Sequence, residues 1–125
     1  MKGLVHIYEG TGKGKSTAGV GLTIRCAGNG FPVVYSQFLK DGTTGEMNIL
    51  RKIPNITVLV EEHHFGFSFL MTPEEKVEAK AAYTALFEKV KAAAVEQNAR
   101  LLVMDEMLDL CNAELIDTAM VVDFL

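Results

Sequence analysis

The stretch Gly10-Thr11-Gly12-Lys13-Gly14-Lys15-Ser16-Thr17 holds the residue types best able to do chemistry in this chain. Glycines let backbone N–H groups turn inward around oxygens without a Cβ clash. Lys15 supplies a mobile positive charge, and Ser16 a hydroxyl suited to Mg²⁺. A helix starting there adds the partial positive charge of its N-terminus. Together these groups suit the triphosphate of ATP. The usual spacing places a glycine five residues before Gly14; Glu9 stands there instead, with Gly10 and Gly12 giving flexibility nearby.

A second candidate group is Asp105-Glu106, directly after the apolar run Leu101 to Met104. Carboxylates at the C-terminal end of a strand lie on the edge where α/β sheets bind ligands. There they hold Mg²⁺ directly or through water. His63 and His64 are adjacent, so on extended chain they point to opposite sides, and no third ligand is evident; they read as loop or surface residues. Phe65, Phe67 and Phe69 alternate and share one face of an extended segment. That face suits either core packing or a flat apolar ligand, and the sequence leaves both open. Cys26 and Cys111 lie outside any metal-ligand spacing and read as packing residues.

These groups need a scaffold, and the chain supplies alternating elements. Residues 3–8 (GLVHIY) are apolar and bounded by glycines, which predicts a buried strand leading into the loop. A helix follows over 16–27, ended by Gly28-Asn29-Gly30. Residues 32–38 (PVVYSQF) predict a second strand. A loop over 41–45 and a short helix over 46–52 come next, then a third strand over 55–60. Residues 61–71 read as a loop. Thr72-Pro73-Glu74-Glu75 starts a helix, with Thr72 as cap, Pro73 in the first turn and Glu75 completing a capping box; it runs to Gln97. Residues 100–104 form a fourth strand and 112–125 a last helix. The order implies a parallel sheet with helices on both faces. The chain stops inside that last helix, where another strand is expected. It is therefore read as one domain, 1–125, lacking its C-terminal strands or completed by another chain.

Composition limits the alternatives. The chain has 125 residues, 49% hydrophobic, so it can bury a core and falls outside the disordered class. A net charge of −4 without a basic stripe argues against nucleic acid. No apolar run approaches the roughly 18 residues of a membrane span. With no leader evident and two distant cysteines, a cytoplasmic protein with reduced thiols is expected.

Several motifs, in order, resemble the P-loop-type ATP:corrinoid adenosyltransferases. The loop from Gly10 to Thr17 is similar to that family's Gly-x-Gly-Lys-Gly-Lys-Thr/Ser-Thr. Arg25, Ala27, Gly28 and Gly30 resemble its Arg-Ala-x-Gly-x-Gly helix end, and Gln37-Phe38-Leu39-Lys40 its Gln-Phe-Ile/Leu-Lys segment. Gly45-Glu46 with Leu50, Gly66-Phe67-Ser68-Phe69 and Val103-Met104-Asp105-Glu106 resemble its later motifs. Two departures stand out: Phe69 occupies a position often held by tryptophan, and Asp41 interrupts the usual Lys-Gly.

The resemblance implies transfer of the 5′-deoxyadenosyl group of ATP to a reduced corrinoid. Cobalt(I) attacks the 5′ carbon and triphosphate leaves. It implies ATP held by Gly10, Thr11, Gly12, Lys13, Gly14, Lys15, Ser16 and Thr17, with Arg25 helping to position the nucleotide. It implies Mg²⁺ or Mn²⁺ at Ser16, Asp105 and Glu106. Lys15 would neutralise the leaving triphosphate, and Phe67 and Phe69 would take the lower face of the corrin. A homodimer and a flavin-type reductant protein are further implications. Two other classes use the same loop: a small kinase, for which no arginine-rich lid is visible, and a non-catalytic nucleotide-dependent switch.

Overall fold

The computed structural model describes residues 4–7, 14–39, 44–61 and 70–125. Its centre is a three-stranded parallel sheet in the order β2-β1-β3, formed by β1 (Val33–Gln37), β2 (Ile56–Val60) and β3 (Leu101–Asp105). Val33 lies opposite Ile56 on one side and Leu101 on the other; at the far end Gln37 lies opposite Val60 and Asp105. The middle strand β1 is buried along its whole length, whereas β3 is half-buried throughout.

Alternation along β1 sorts its side chains into two cores. Val33 and Tyr35 pack with Ala27, Met47, Leu50 and Ile56, beneath α1 (Lys15–Gly28) and α2 (Gly45–Leu50). Val34 and Phe38 face the opposite core, built on α3 (Pro73–Glu96) with α4 (Met107–Asn112) and α5 (Thr118–Phe124). There Phe87 of α3 meets Phe124 of α5 edge to face at 5.8 Å. Helices therefore cover both faces, as the strand and helix order predicts.

Local chemistry explains most boundaries. The Thr72 side chain accepts from the Glu75 N–H, and Pro73 fills the first turn of α3, where a missing N–H costs nothing. At the far end of α1, the Asn55 amide donates to the carbonyls of Ala27 and Phe31, tying that turn to the start of β2.

Two expectations are corrected. Residues 4–7 form no strand: Leu4, Val5 and Ile7 are 88%, 55% and 63% exposed, and no described strand lies beyond β3. Apolar composition marks a segment worth burying but does not specify its pairing: the outer edge of β3 has no described neighbour, and residues 4–7 still do not pair with it. The last helix begins at Thr118 rather than at 112, and α4, which ends at Asn112, was not expected. Glu114 takes a positive φ of 59°, which no helix tolerates, and Asp117 then caps α5 by accepting from the Ala119 N–H.

Candidate active site

The carboxyl end of the sheet gathers the groups singled out by sequence. Gly14 precedes α1 with φ 108°, a left-handed conformation that glycine adopts without strain. The chain then enters α1 at Lys15, with Ser16 and Thr17 in its first turn, where backbone N–H groups lack helical partners. Gly19, one turn further, lets α1 lie close on β3. A Cβ there would stand 3.3 Å from Cγ1 of Val103.

That close approach places Ser16 against the last residue of β3. Its Oγ lies 3.0 Å from Oδ1 and 3.0 Å from Oδ2 of Asp105. The carboxylate can only accept, so the serine hydroxyl donates to it. A serine hydroxyl that donates its proton keeps its lone pairs as acceptors. This is the polarity a hydroxyl ligand of Mg²⁺ needs, and hard oxygen donors are the type that ion takes. Asp105 fits an outer role, orienting Ser16 and receiving hydrogen bonds from the ion's water.

Glu106, half-buried, takes φ 66°, and Leu39, just past β1, takes φ 63°. Left-handed backbone in non-glycine residues carries local strain and is found disproportionately at functional sites. Here both turns lie on the same edge of the sheet. Tyr35 is buried beneath this edge, and its phenol is held above the ordinary value by burial first, then by the negative charges of Asp105, Glu46 and Glu106. It remains a neutral hydroxyl throughout the physiological range.

The structure brings Ser16 and Asp105 into contact, with Lys15 and Thr17 beside Ser16 in the same turn and Glu106 next in chain to Asp105. It does not bring Arg25 to them. Arg25 is exposed in the last turn of α1, beside Leu22, Phe31 and Arg100, about 15 Å along the helix from Lys15 at 1.5 Å per residue. Gly10, Thr11, Gly12, Lys13, Phe67 and Phe69 lie outside the described residues, as do His63 and His64. Cys26 and Cys111 are both half-buried free thiols.

Sequence reasoning did not select Gln37 as a site residue. Its Nε2 lies 3.4 Å from Oδ2 of Asp105, and the side chain is fully buried. The signal was visible: Ser36 and Gln37 are polar residues inside an otherwise apolar strand. Ser36 is satisfied by the Val103 carbonyl at 2.7 Å.

A parallel sheet covered on both faces, with a glycine-preceded helix delivering Lys15 and Ser16 to its carboxyl edge, defines the P-loop class of α/β fold. Within that class the chain belongs to the ATP:corrinoid adenosyltransferase BtuR/CobO/CobP family, whose model matches residues 1–125. It is similar to a corrinoid adenosyltransferase of Sinorhizobium sp., 30% identical over 125 residues, covering 99% of this chain and 58% of that protein. Corrinoid adenosyltransferases of Pseudomonas aeruginosa and Escherichia coli K12 are each 28% identical, over 85% of this chain and 51% and 52% of their own lengths. The chain thus spans about half the length of the curated relatives it matches. Among the described residues no helix is long and apolar enough to cross a membrane.

Proposed function

We propose that this protein transfers the 5′-deoxyadenosyl group of ATP to the cobalt of a reduced corrinoid and releases triphosphate. The observation that carries the reading is the Ser16–Asp105 contact at the lysine-headed start of α1, in a chain that belongs to the adenosyltransferase family.

The residues support such a reaction. Cobalt(I) of the substrate brings the electron pair that forms the cobalt–carbon bond, and becomes cobalt(III). The C5′–O5′ bond breaks, and its electron pair leaves with the triphosphate. The nucleophile belongs to the substrate, so the protein's task is orientation and charge neutralisation. Lys15 and the N–H groups of the first turn of α1 face the charge that grows on the leaving phosphates. Ser16 and Asp105, with Glu106 beside them, would hold Mg²⁺, which adds further neutralising charge when bound. Phe67 and Phe69 are proposed to cover the lower face of the corrin, and a homodimer and a separate reductant protein complete the proposal.

Incubation with ATP, Mg²⁺ and chemically reduced corrinoid tests the reading. A cobalt–carbon bond seen spectroscopically, with one triphosphate released per bond, is the expected result. Release of ADP with a phosphorylated acceptor would make the protein a kinase, and an absence of both products would remove the enzymatic reading.

A further inference from the structure

Two buried polar atoms at the carboxyl edge of the sheet have no hydrogen-bond partner among the described residues: Oε1 of Gln37 and Oη of Tyr35. Both residues are fully buried. Tyr35 and Gln37 are two apart on β1, so both lie on the face covered by α1 and α2. Thr44, which precedes α2, has a third such atom, its Oγ1. Buried polar atoms are nearly always paired, and an orphan forfeits the hydrogen bonds it had with water. The orphans at Gln37 and Tyr35, on the strand that ends against Asp105, therefore mark a place that receives hydrogen bonds from something else.

Gln37 is the member whose orientation is fixed. Its amide nitrogen faces Asp105, an acceptor-only group, so the carbonyl oxygen Oε1 is the atom left to accept. The same Asp105 takes the Ser16 hydroxyl proton. Gln37 Oε1 is thus an acceptor two hydrogen bonds removed from the oxygen that would meet a cation.

We propose that Gln37 is a positioning residue of the nucleotide–cation site, its Oε1 accepting a hydrogen bond from a water molecule in the shell of the bound Mg²⁺. The inference rests on the reading of the loop as an ATP site. Nε2 braces Asp105 while Oε1 holds the ion's water, so one side chain sets both the ligand-orienting carboxylate and the hydration geometry. Waters retained by Mg²⁺ are strong donors, and Mg²⁺ keeps several of them when it binds with phosphates.

The test is calorimetric titration of ATP into wild type and Gln37→Met, with Mg²⁺ and separately in EDTA, beside thermal melts. Methionine keeps the length of the side chain and removes both polar ends. The expected result is a loss of about tenfold or more in affinity for Mg·ATP. Affinity for ATP in EDTA stays within about twofold, and the melting temperature does not fall. Gln37→Glu, which keeps an acceptor oxygen, should recover part of the Mg²⁺ effect. Equal losses with and without Mg²⁺ would mean that Gln37 meets the nucleotide itself, and would overturn the proposal. Unchanged affinity with a lower melting temperature would also overturn it, leaving Oε1 on a structural water. Wild type that binds ATP under neither condition would instead remove the ATP-site reading beneath it.

Discussion

Ser16 of the first turn of α1 and Asp105 at the end of β3 are 89 residues apart in sequence and share a hydrogen bond at 3.0 Å to each carboxylate oxygen. The contact joins the helix that would bind phosphate to the strand that would steer the metal. Asp105→Asn keeps the shape but removes the charge and presents one oxygen instead of two. Mg²⁺ affinity in the presence of ATP should fall by about tenfold or more, on the order of 1.4 kcal/mol, with the fold intact. Manganese binding followed by electron paramagnetic resonance measures it; equal occupancy in both proteins would end the metal assignment.

Lys15 begins α1 and is half-buried beside Ser16. Its ammonium is the side-chain charge that the motif geometry directs at phosphate. Lys15→Ala should weaken ATP binding or turnover by at least about tenfold, or roughly 1.4 kcal/mol. A folded variant with unaltered calorimetric affinity and rate would show that the loop does not hold phosphate through this residue.

How α1 sits on β3 yields a third prediction. At Gly19 an added Cβ would be 3.3 Å from Val103, close enough that the valine must give way. Alanine gains helix propensity of about 1 kcal/mol over glycine, which offsets the crowding, so Gly19→Ala should change stability by less than about 1 kcal/mol. Gly19→Val has no such offset and should cost roughly 1–3 kcal/mol by overpacking. It should also push Ser16 off Asp105 and weaken Mg·ATP binding. Adding Val103→Ala should restore much of both losses. Melts and titrations of wild type, Gly19→Val, Val103→Ala and the double variant, with Gly19→Ala beside them, decide it, and independent, additive effects would refute the packing argument.

The elements were legible where local chemistry specifies them. Thr72-Pro73 announces α3, and the apolar runs that became β1, β2 and β3 lie within a residue or two of their expected bounds. The loop motif and the strand-end acid led to Ser16 and Asp105 being expected around one Mg²⁺; the direct hydrogen bond between them was not expected. Residues 4–7 failed as a strand although the outer edge of β3 has no described neighbour, because hydrophobic pattern does not specify pairing. The last helix starts later than expected, at Thr118, because Glu114 turns to positive φ, a backbone choice that its side chain does not announce, and the short α4 before it was missed. Gln37 was missed because a polar residue in a strand reads equally as an exposed edge position. Its pairing with Val60 on one side and Asp105 on the other, and its full burial, show that it is interior.

Phe69 carries a prediction that rests on the family resemblance, since it lies outside the described residues. An aromatic face below the corrin would exclude water and the axial base, favouring four-coordinate cobalt(II), the form that cellular reductants can reduce. Phe69→Ala should impair adenosylation from cobalt(II) while ATP affinity stays nearly unchanged. Activity from pre-reduced cobalt(I), which has already shed its lower ligand, should suffer less. Equal losses from both states, with a stability loss of roughly 3–5 kcal/mol, would make Phe69 a core residue.

Two buried tyrosines should respond oppositely to loss of their hydroxyls. The Tyr83 hydroxyl is hydrogen-bonded by the Leu39 backbone, and its ring packs 6.4 Å from Phe38. Tyr83→Phe should therefore cost about 1 kcal/mol at neutral pH. The Tyr35 hydroxyl has no partner among the described residues, so Tyr35→Phe should be neutral or slightly stabilising in the ligand-free protein. At high pH the two variants should converge in sign. Both phenols are raised above the ordinary value, Tyr83 by burial first and then by Glu61, Tyr35 by burial first and then by nearby carboxylates. An unfolded phenol ionises near pH 10 while the folded one keeps its proton. The unfolded state then binds fewer protons, and stability falls as pH rises above about 10. Below that pH the contribution is fully present. Each Phe variant should flatten this alkaline decline by up to one proton, read from denaturant midpoints between about pH 9 and 11. If Tyr35→Phe instead destabilises at pH 7 as much as Tyr83→Phe, the Tyr35 hydroxyl is satisfied by a buried water. If neither variant alters the alkaline slope, burial does not hold these phenols neutral.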